Sequence, residues 1–116
     1  MTWCNPSYAG SVAAEIGSND ERIRFAIANR RLVAVSYSGT MRVAEPHDYG
    51  MQNGRERLLV FQLRGPSRSG QSPKGWRLLD TGKIESLAVL DEAFAGSRGE
   101  SHRGHLRWDA VYARVK

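Results

Sequence analysis

Cationic side chains cluster in the middle of this chain of 116 residues. Four cations and no carboxylate lie between residues 64 and 77, and Lys83 follows within the segment GWRLLDTGKIESL, residues 75–87. A guanidinium group binds phosphate or carboxylate at two points, whereas an ammonium group acts as a point charge. The pattern therefore predicts either contacts to a phosphate backbone or a solvated basic loop. The four cations are Arg64, Arg68, Lys74 and Arg77.

Arg42 is a separate candidate for anion binding, on another predicted strand. It alternates with Met41 and Val43, so it faces outward if those two side chains face the core. On a concave face, Arg42 could then form a basic pocket together with Arg77 and Lys83.

The cations and the aromatic side chains near them have structural alternatives. Arg77 could pair with Asp80 or Glu85 across the turn instead of binding a ligand. Four aromatic residues could stack on nucleic-acid bases, but at strand spacing they also suit a core. These residues are Tyr37, Phe61, Trp76 and Trp108.

No residue pattern predicts catalysis. Cys4 has no histidine near it in the sequence, and a nucleophile needs a base within reach. His102 and His105 lie in a Gly-rich loop, where a metal site would need further ligands. His47 precedes Asp48, which could orient it in a site or form a local turn hydrogen bond. We predict no catalytic residue, no metal, no cofactor and no enzymatic activity.

Composition limits the class of protein. The length suits one domain, and the net charge of +5, with 14 arginines among 17 cations, reflects either anionic partners or a codon bias towards arginine. A single cysteine allows no internal disulfide and predicts a reducing, cytoplasmic location. No apolar run approaches the roughly 20 residues of a membrane helix, and the N-terminus does not resemble a signal peptide.

Local signals predict one helix and then strands. Ser18 and Glu21 fit a capping box, so we expect a helix from about Asp20 to Asn29. Pro46 predicts an edge position, a bend or a bulge, and Asn53 with Gly54 predicts a type I′ hairpin turn. Strands are expected within residues 32–37, 41–52, 56–64, 76–81, 85–94 and 106–115.

These elements predict a mainly β domain, a small barrel of five to six short strands preceded by one helix. Residues 1–17 form a predicted N-terminal arm, in which residues 11–16 could be a short helix, and residues 18–116 form the domain. The loop from 65 to 75 is rich in Gly, Ser and Pro and is long for a hairpin. The last strand, 106–115, could pair with an earlier strand and close the barrel.

Residues 23–94 resemble the WYL domain family. The first-strand motif of that family matches Arg31, Val33, Val35 and Tyr37, and its next block matches Arg42, Val43 and Pro46. Its later arginine-containing strand matches Arg77, Leu79, Lys83 and Ile84, and Phe94 matches the terminal Phe. The Trp-Tyr-Leu of the family name falls near Glu56, Arg57 and Leu58, and Lys83 stands where the family has a second arginine.

The resemblance implies an SH3- or Sm-like barrel that senses a nucleic-acid or nucleotide-like ligand, as in bacterial transcription regulators. About 20 residues precede the predicted helix, so we expect a free-standing WYL-like protein without a helix-turn-helix domain. The implied ligand-binding residues are Tyr37, Arg42, Arg77 and Lys83, with Arg64, Arg68 and Lys74 as peripheral phosphate contacts. The alternative function is a protein-interaction or oligomerisation module, in which an arm carrying Trp3 and Tyr8 crosses to a neighbour.

Overall fold

A computed structural model describes residues 12–14, 17–66, 72–98 and 107–116. These residues form one helix, α1 (Asn19–Asn29), and seven strands. The strands are β1 (Val12–Ala14), β2 (Arg31–Tyr37), β3 (Thr40–Gln52), β4 (Arg55–Arg64), β5 (Gly75–Asp80), β6 (Ile84–Ala93) and β7 (Ala110–Arg114). A 3-10 turn, Thr81–Lys83, connects β5 to β6.

The start of α1 is the predicted capping box. The Glu21 amide donates to the Ser18 hydroxyl at 3.2 Å, and the Glu21 carboxylate accepts from the Ser18 amide at 3.0 Å. The helix buries Ile23, Ala26 and Ile27, which fall on one stripe. It ends at Arg30, whose left-handed backbone (φ 53°) directs the chain into β2. The predicted helix is therefore confirmed.

The strands form one antiparallel sheet in the order β1-β6-β2-β3-β4-β5. β2 pairs with residues 40–44 of β3, and β7 pairs with residues 48–51 of the same strand. The mainly β class with one helix is confirmed. The barrel is not closed, because the outermost strands of this order, β1 and β5, do not pair in the described part of the chain. β7 lies beside β3 and does not join the ends of the sheet, so the predicted closure is wrong.

One turn and one bulge in the sheet follow local signals. The β3–β4 hairpin turns at Asn53 and Gly54, whose φ angles of 52° and 78° are those of a type I′ turn. The register between β3 and β4 shifts from Pro46 to Asp48, which is the bulge that proline favours. Both predictions are confirmed.

Two other segments differ from expectation. Residues 12–14, predicted within a short helix, form β1 and pair with β6. The C-terminal strand, predicted over 106–115, covers Ala110–Arg114. The strand contacts that stabilise both segments are distant in sequence, so local patterns do not reveal them.

Apolar side chains pack on both faces of the sheet. The larger core combines the buried stripe of α1 with residues from strands β2 to β6, including Val35, Val60 and Leu87. A smaller cluster of Leu32, Ala34, Val43 and Leu90 is buried separately. Side chains alternate along a strand, and residues directly opposite each other in an antiparallel pair lie on the same face of the sheet. The residues opposite Val35 and Val60 therefore point to the face of the larger core.

Candidate functional site

Strand register places two predicted arginines on one face of the sheet. Arg42 is opposite Val35 on the neighbouring strand, and Arg77 is opposite Val60. Both valines belong to the larger core, so both arginines extend from that face. The condition that Met41 and Val43 both face the core is met only by Val43, which is buried, whereas Met41 is 51% exposed. Both arginines are half-buried.

Tyr37, at the end of β2, joins Arg42 to the end of β5. The guanidinium carbon of Arg42 lies 5.4 Å from the centre of the Tyr37 ring. The Tyr37 hydroxyl accepts a hydrogen bond from the Asp80 amide at 3.1 Å. The ring is therefore held between two strands and supports the cation by a cation–π contact.

Gln62, which the sequence analysis missed, links Arg42 to the long loop. Its side chain is wholly buried, and its amide oxygen accepts from Arg42 Nη1 at 2.9 Å. Its amide nitrogen donates to the carbonyls of Pro66 and Pro73, at 3.0 and 2.8 Å. One amide thus joins both ends of the loop to the arginine. A polar residue inside the apolar run LLVFQL was the available signal.

Arg77 approaches the same point from β5. Its Nη1 donates to the Trp76 carbonyl at 2.9 Å, and a Cβ added to Gly75 would stand 2.9 Å from that nitrogen. Gly75 is the strand partner of Gln62, so the Arg77 guanidinium lies beside the pair to which Arg42 is bonded. We call Tyr37, Arg42, Gln62 and Arg77 the arginine face.

The structural alternative for Arg77 is wrong. Asp80 accepts instead from Arg55 Nη1 at 2.8 Å and from the Gly82 amide at 3.0 Å, and these bonds lower the pKa of Asp80. Glu85 accepts from the Ser36 hydroxyl at 2.9 Å. Across the residues described, neither Arg42 nor Arg77 forms an ion pair with a carboxylate. Both charges remain available to an anion.

Lys83 is not brought into this group. It lies in the 3-10 turn after β5, with an exposed side chain that makes no hydrogen bond or ion pair within the described segments. Its neighbour Ile84 pairs with Tyr37, so Lys83 borders only the tyrosine end of the arginine face.

The predicted peripheral cations are dispersed. Arg64 is exposed and lies 4.0 Å from Glu92, a separation at which an exposed pair contributes little. Lys74 is exposed, and Arg68 lies outside the described residues.

The aromatic candidates are half-buried. Phe61 and Trp76 meet edge to face with ring centres 5.3 Å apart, and the Trp76 ring also contacts His47 at 4.8 Å. Both rings therefore contribute to packing, and of the four aromatic residues only Tyr37 is placed on the arginine face.

A second polar cluster involves His47. His47 lies at the bulge of β3 and is wholly buried, and its Nε2 is 3.0 Å from the carboxylate of Glu45. Arg98 binds the same carboxylate at two points, 2.7 and 2.9 Å. Burial raises the pKa of Glu45, but the hydrogen bonds from Arg98 and His47 outweigh burial and lower it. The His47 side chain has no exposed surface through which a substrate in solvent could contact it.

Asp48 also forms an ion pair, with Arg114 at 3.0 Å. The pair joins β3 to β7 across 66 positions of sequence. This partner was not visible in the local context of His47 and Asp48, where a turn hydrogen bond was one alternative.

The described segments contain neither a metal-binding cluster nor a helix that could span a membrane. No group of three or more His, Cys, Asp or Glu side chains there could hold a metal ion. Cys4, His102 and His105 lie outside those segments. Within them, no helix has the length and apolar character needed to cross a membrane.

Comparison with known proteins found no family model, no curated protein and no solved structure that matches this chain. The WYL resemblance therefore depends on the residues already described.

Proposed function

We propose that the protein is a ligand-binding module for single-stranded nucleic acid or a nucleotide-like anion, with a sensing role like that of WYL-domain regulators. The observation that carries the proposal is the position of Arg42 and Arg77 on either side of the Gln62–Gly75 pair, with no carboxylate partner among the residues described. A cytoplasmic location belongs to the same proposal, since the chain has one cysteine.

The arginine face suits an oxyanion because its cations are already oriented. Tyr37 supports one side of the Arg42 guanidinium, and Gln62 holds its Nη1. Arg42 Nε is buried and has no hydrogen-bond partner in the described segments. A buried donor of this kind costs about 1–3 kcal/mol if it is left unsatisfied. An anion that draws the guanidinium into a two-point contact would remove that cost, and the Tyr37 ring could stack on a base.

A non-enzymatic role is part of the proposal. The one histidine in the described segments, His47, has no exposed surface, so it cannot accept a proton from a bound substrate without rearrangement. The half-exposed side chains of the arginine face are arginines and a tyrosine, which are hydrogen-bond donors for an anion.

Binding is tested by fluorescence anisotropy with a labelled oligothymidylate of about ten nucleotides, a length within the site sizes of small domains that bind single strands. We expect saturable binding at low salt that weakens as salt rises. In a plot of the logarithm of the binding constant against the logarithm of salt concentration, the slope should be about −0.7 per phosphate contact for single strands. Arg77→Ala should weaken binding about tenfold or more, since a bond to a charged group contributes about 1.5–3 kcal/mol. Arg42→Lys should weaken it similarly, because lysine cannot bind at two points.

The matched control is Arg107→Ala, which removes one exposed cation that forms no hydrogen bond or ion pair within the described residues. It should change affinity less than twofold, and so should Lys83→Ala, because Lys83 only borders the arginine face. Undetectable binding at low salt, or equal effects of Arg77→Ala and Arg107→Ala, contradicts the proposal.

A second candidate, protein interaction or oligomerisation, rests on strand edges. Within the described sheet β5 pairs only with β4, and β7 pairs only with β3, where Val111 is 43% exposed. Open edges can add a strand from another chain. Light scattering at two concentrations tests this candidate: a dimer that is insensitive to salt, in a protein without oligonucleotide binding, favours it.

A further inference from the structure

A cavity of about 480 Å³ lies between the second half of α1 and the end of the chain that follows β7. Small-molecule sites in proteins have volumes of about 300–1,000 Å³. Four cationic residues line the cavity, Arg24, Arg30, Arg114 and Lys116, and three apolar ones, Ile27, Ala28 and Ala113. None of these residues belongs to the arginine face. We call this cavity the helix–β7 pocket.

Arg24 is held in place on the helix side of the pocket. Its Nε lies 3.1 Å from each carboxylate oxygen of Asp20, one turn earlier in α1. Its guanidinium carbon lies 5.6 Å from the centre of the Tyr49 ring and 5.1 Å from that of Tyr112. The two η nitrogens form no hydrogen bond within the described segments, so the guanidinium is oriented and can still donate.

Arg114 repeats this arrangement on the β7 side. Its Nε donates at 3.0 Å to Asp48, whose side chain is wholly buried, while the arginine side chain is 39% exposed. Its η nitrogens likewise make no hydrogen bond to any described residue. Each of the two arginines is therefore oriented by a carboxylate that binds its Nε, and the four η nitrogens of the pair remain as donors for a ligand.

Arg30 and Lys116 supply the excess charge of the pocket. Both are exposed, and neither forms an ion pair within the part of the chain that the structure describes. Asp20 and Asp48 compensate Arg24 and Arg114, whereas Arg30 and Lys116 leave two positive side-chain charges uncompensated. The pocket therefore has an electrostatic preference for an anion.

From this arrangement we infer that the helix–β7 pocket binds a small oxyanion that carries an apolar group, the chemistry shared by aryl phosphates and aryl carboxylates. The two oriented guanidinium groups bind the anion oxygens, while Ala28 and Ala113 contact the apolar group. The inference is independent of the proposed nucleic-acid function, since it uses other residues on other elements.

The inference is tested by titrating the full chain, labelled with ¹⁵N, with phenyl phosphate and recording amide shifts. We expect saturable shifts at residues of the pocket, such as Ala28 and Ala113. Inorganic phosphate and phenol should each bind at least about tenfold more weakly, because each supplies only half of the contacts. Benzoate in a parallel titration distinguishes a carboxylate ligand from a phosphate ligand.

Two kinds of variant distinguish the effect of the pocket's charge on binding from the effect of its volume. Arg30→Gln combined with Lys116→Gln removes the uncompensated charges and should weaken binding about tenfold. Ala28→Leu fills the pocket from an exposed helix position, keeps the charge and should abolish the shifts. Arg107→Gln removes an exposed charge that is not part of the pocket lining, so it is the control for loss of charge and should leave the affinity within twofold. Circular dichroism confirms that each variant is folded.

Three results overturn the inference: no saturable shift with phenyl phosphate or benzoate, unchanged affinity in folded Ala28→Leu, or shifts that centre on Arg42 and Arg77. The oligonucleotide experiment remains a separate test, because its decisive variant is Arg77→Ala and the pocket variants do not alter the arginine face.

Discussion

Replacing Arg98 with alanine is expected to destabilise the protein by about 2.5–4 kcal/mol. Arg98 follows β6, and its guanidinium binds both oxygens of Glu45 at 2.7 and 2.9 Å. It also lies 3.8 Å from the centre of the Phe61 ring. Without Arg98, the buried carboxylate of Glu45 keeps the contact with His47 but loses its two shortest hydrogen bonds.

The magnitude follows from burial on the two sides of the pair. Removing one partner of a fully buried ion pair costs about 3–5 kcal/mol. The Glu45 side chain is only 7% exposed, but that of Arg98 is 42% exposed, so water can approach from the arginine side. This lowers the electrostatic part to about 2–3 kcal/mol, and loss of the cation–π contact adds about 0.5–1 kcal/mol.

Urea unfolding, followed by circular dichroism, measures this change as a difference in the free energy of unfolding. The matched control is Arg31→Ala, since Arg31 pairs with Asp91 at 3.4 Å with both side chains substantially exposed. That variant should cost at most about 1 kcal/mol. In the Arg98→Ala background, Glu45→Gln should restore part of the stability, because it removes the uncompensated buried charge.

Equal losses in Arg98→Ala and Arg31→Ala would refute this reasoning, because burial of Glu45 would then have no energetic consequence. A second contradiction is a Glu45→Gln change that destabilises the Arg98→Ala variant further. That result would mean that the carboxylate does not need its cation.

Three further predictions concern the same sheet. Burial raises the pKa of Glu45, yet its hydrogen bonds outweigh burial and hold the pKa below the ordinary 4.5. The carboxylate therefore contributes its full stabilisation above pH 4.5 and loses it as the pH falls through the lowered pKa. Acid unfolding of Glu45→Gln should accordingly show a smaller pH dependence than that of the unmodified protein. Tyr49→Phe removes the 2.7 Å bond from the Tyr49 hydroxyl to Asp20 and should lower the free energy of unfolding by about 1 kcal/mol in urea titrations, an unchanged value being the contrary result. Gly50→Ala would place a Cβ on the main-chain oxygen of Ala110, so hydrogen exchange in β7 should accelerate while exchange in α1 changes little.

Several elements of the fold were predictable because their signals are local. The Ser18–Glu21 capping box, the Asn53–Gly54 turn and the bulge at Pro46 each depend on the backbone preferences or side-chain bonds of a few adjacent residues. Alternating apolar residues similarly revealed β2, and a run of apolar residues on both faces revealed β4. These patterns establish the mainly β class with one helix.

The candidate site was predictable in part. Tyr37, Arg42 and Arg77 were identified from charge, spacing and the family resemblance, and the strand register brings them to one face. Gln62 was missed because its partners, Arg42 and the carbonyls of Pro66 and Pro73, are chosen by the packing of the loop on the sheet. Lys83 was included because it stands where the family has a second arginine, but in the 3-10 turn after β5 its side chain is exposed.

By itself, the sequence determined the local elements and the charge of this protein, since both depend on residue types and on neighbours within a few positions. Only the tertiary structure decided which strands are adjacent, that the sheet stays open, and that Glu45 meets Arg98 across 53 positions. These pairings lie beyond the range of backbone preferences. They are selected by the free energy of burying side chains and satisfying their polar groups together, which no segment can achieve alone.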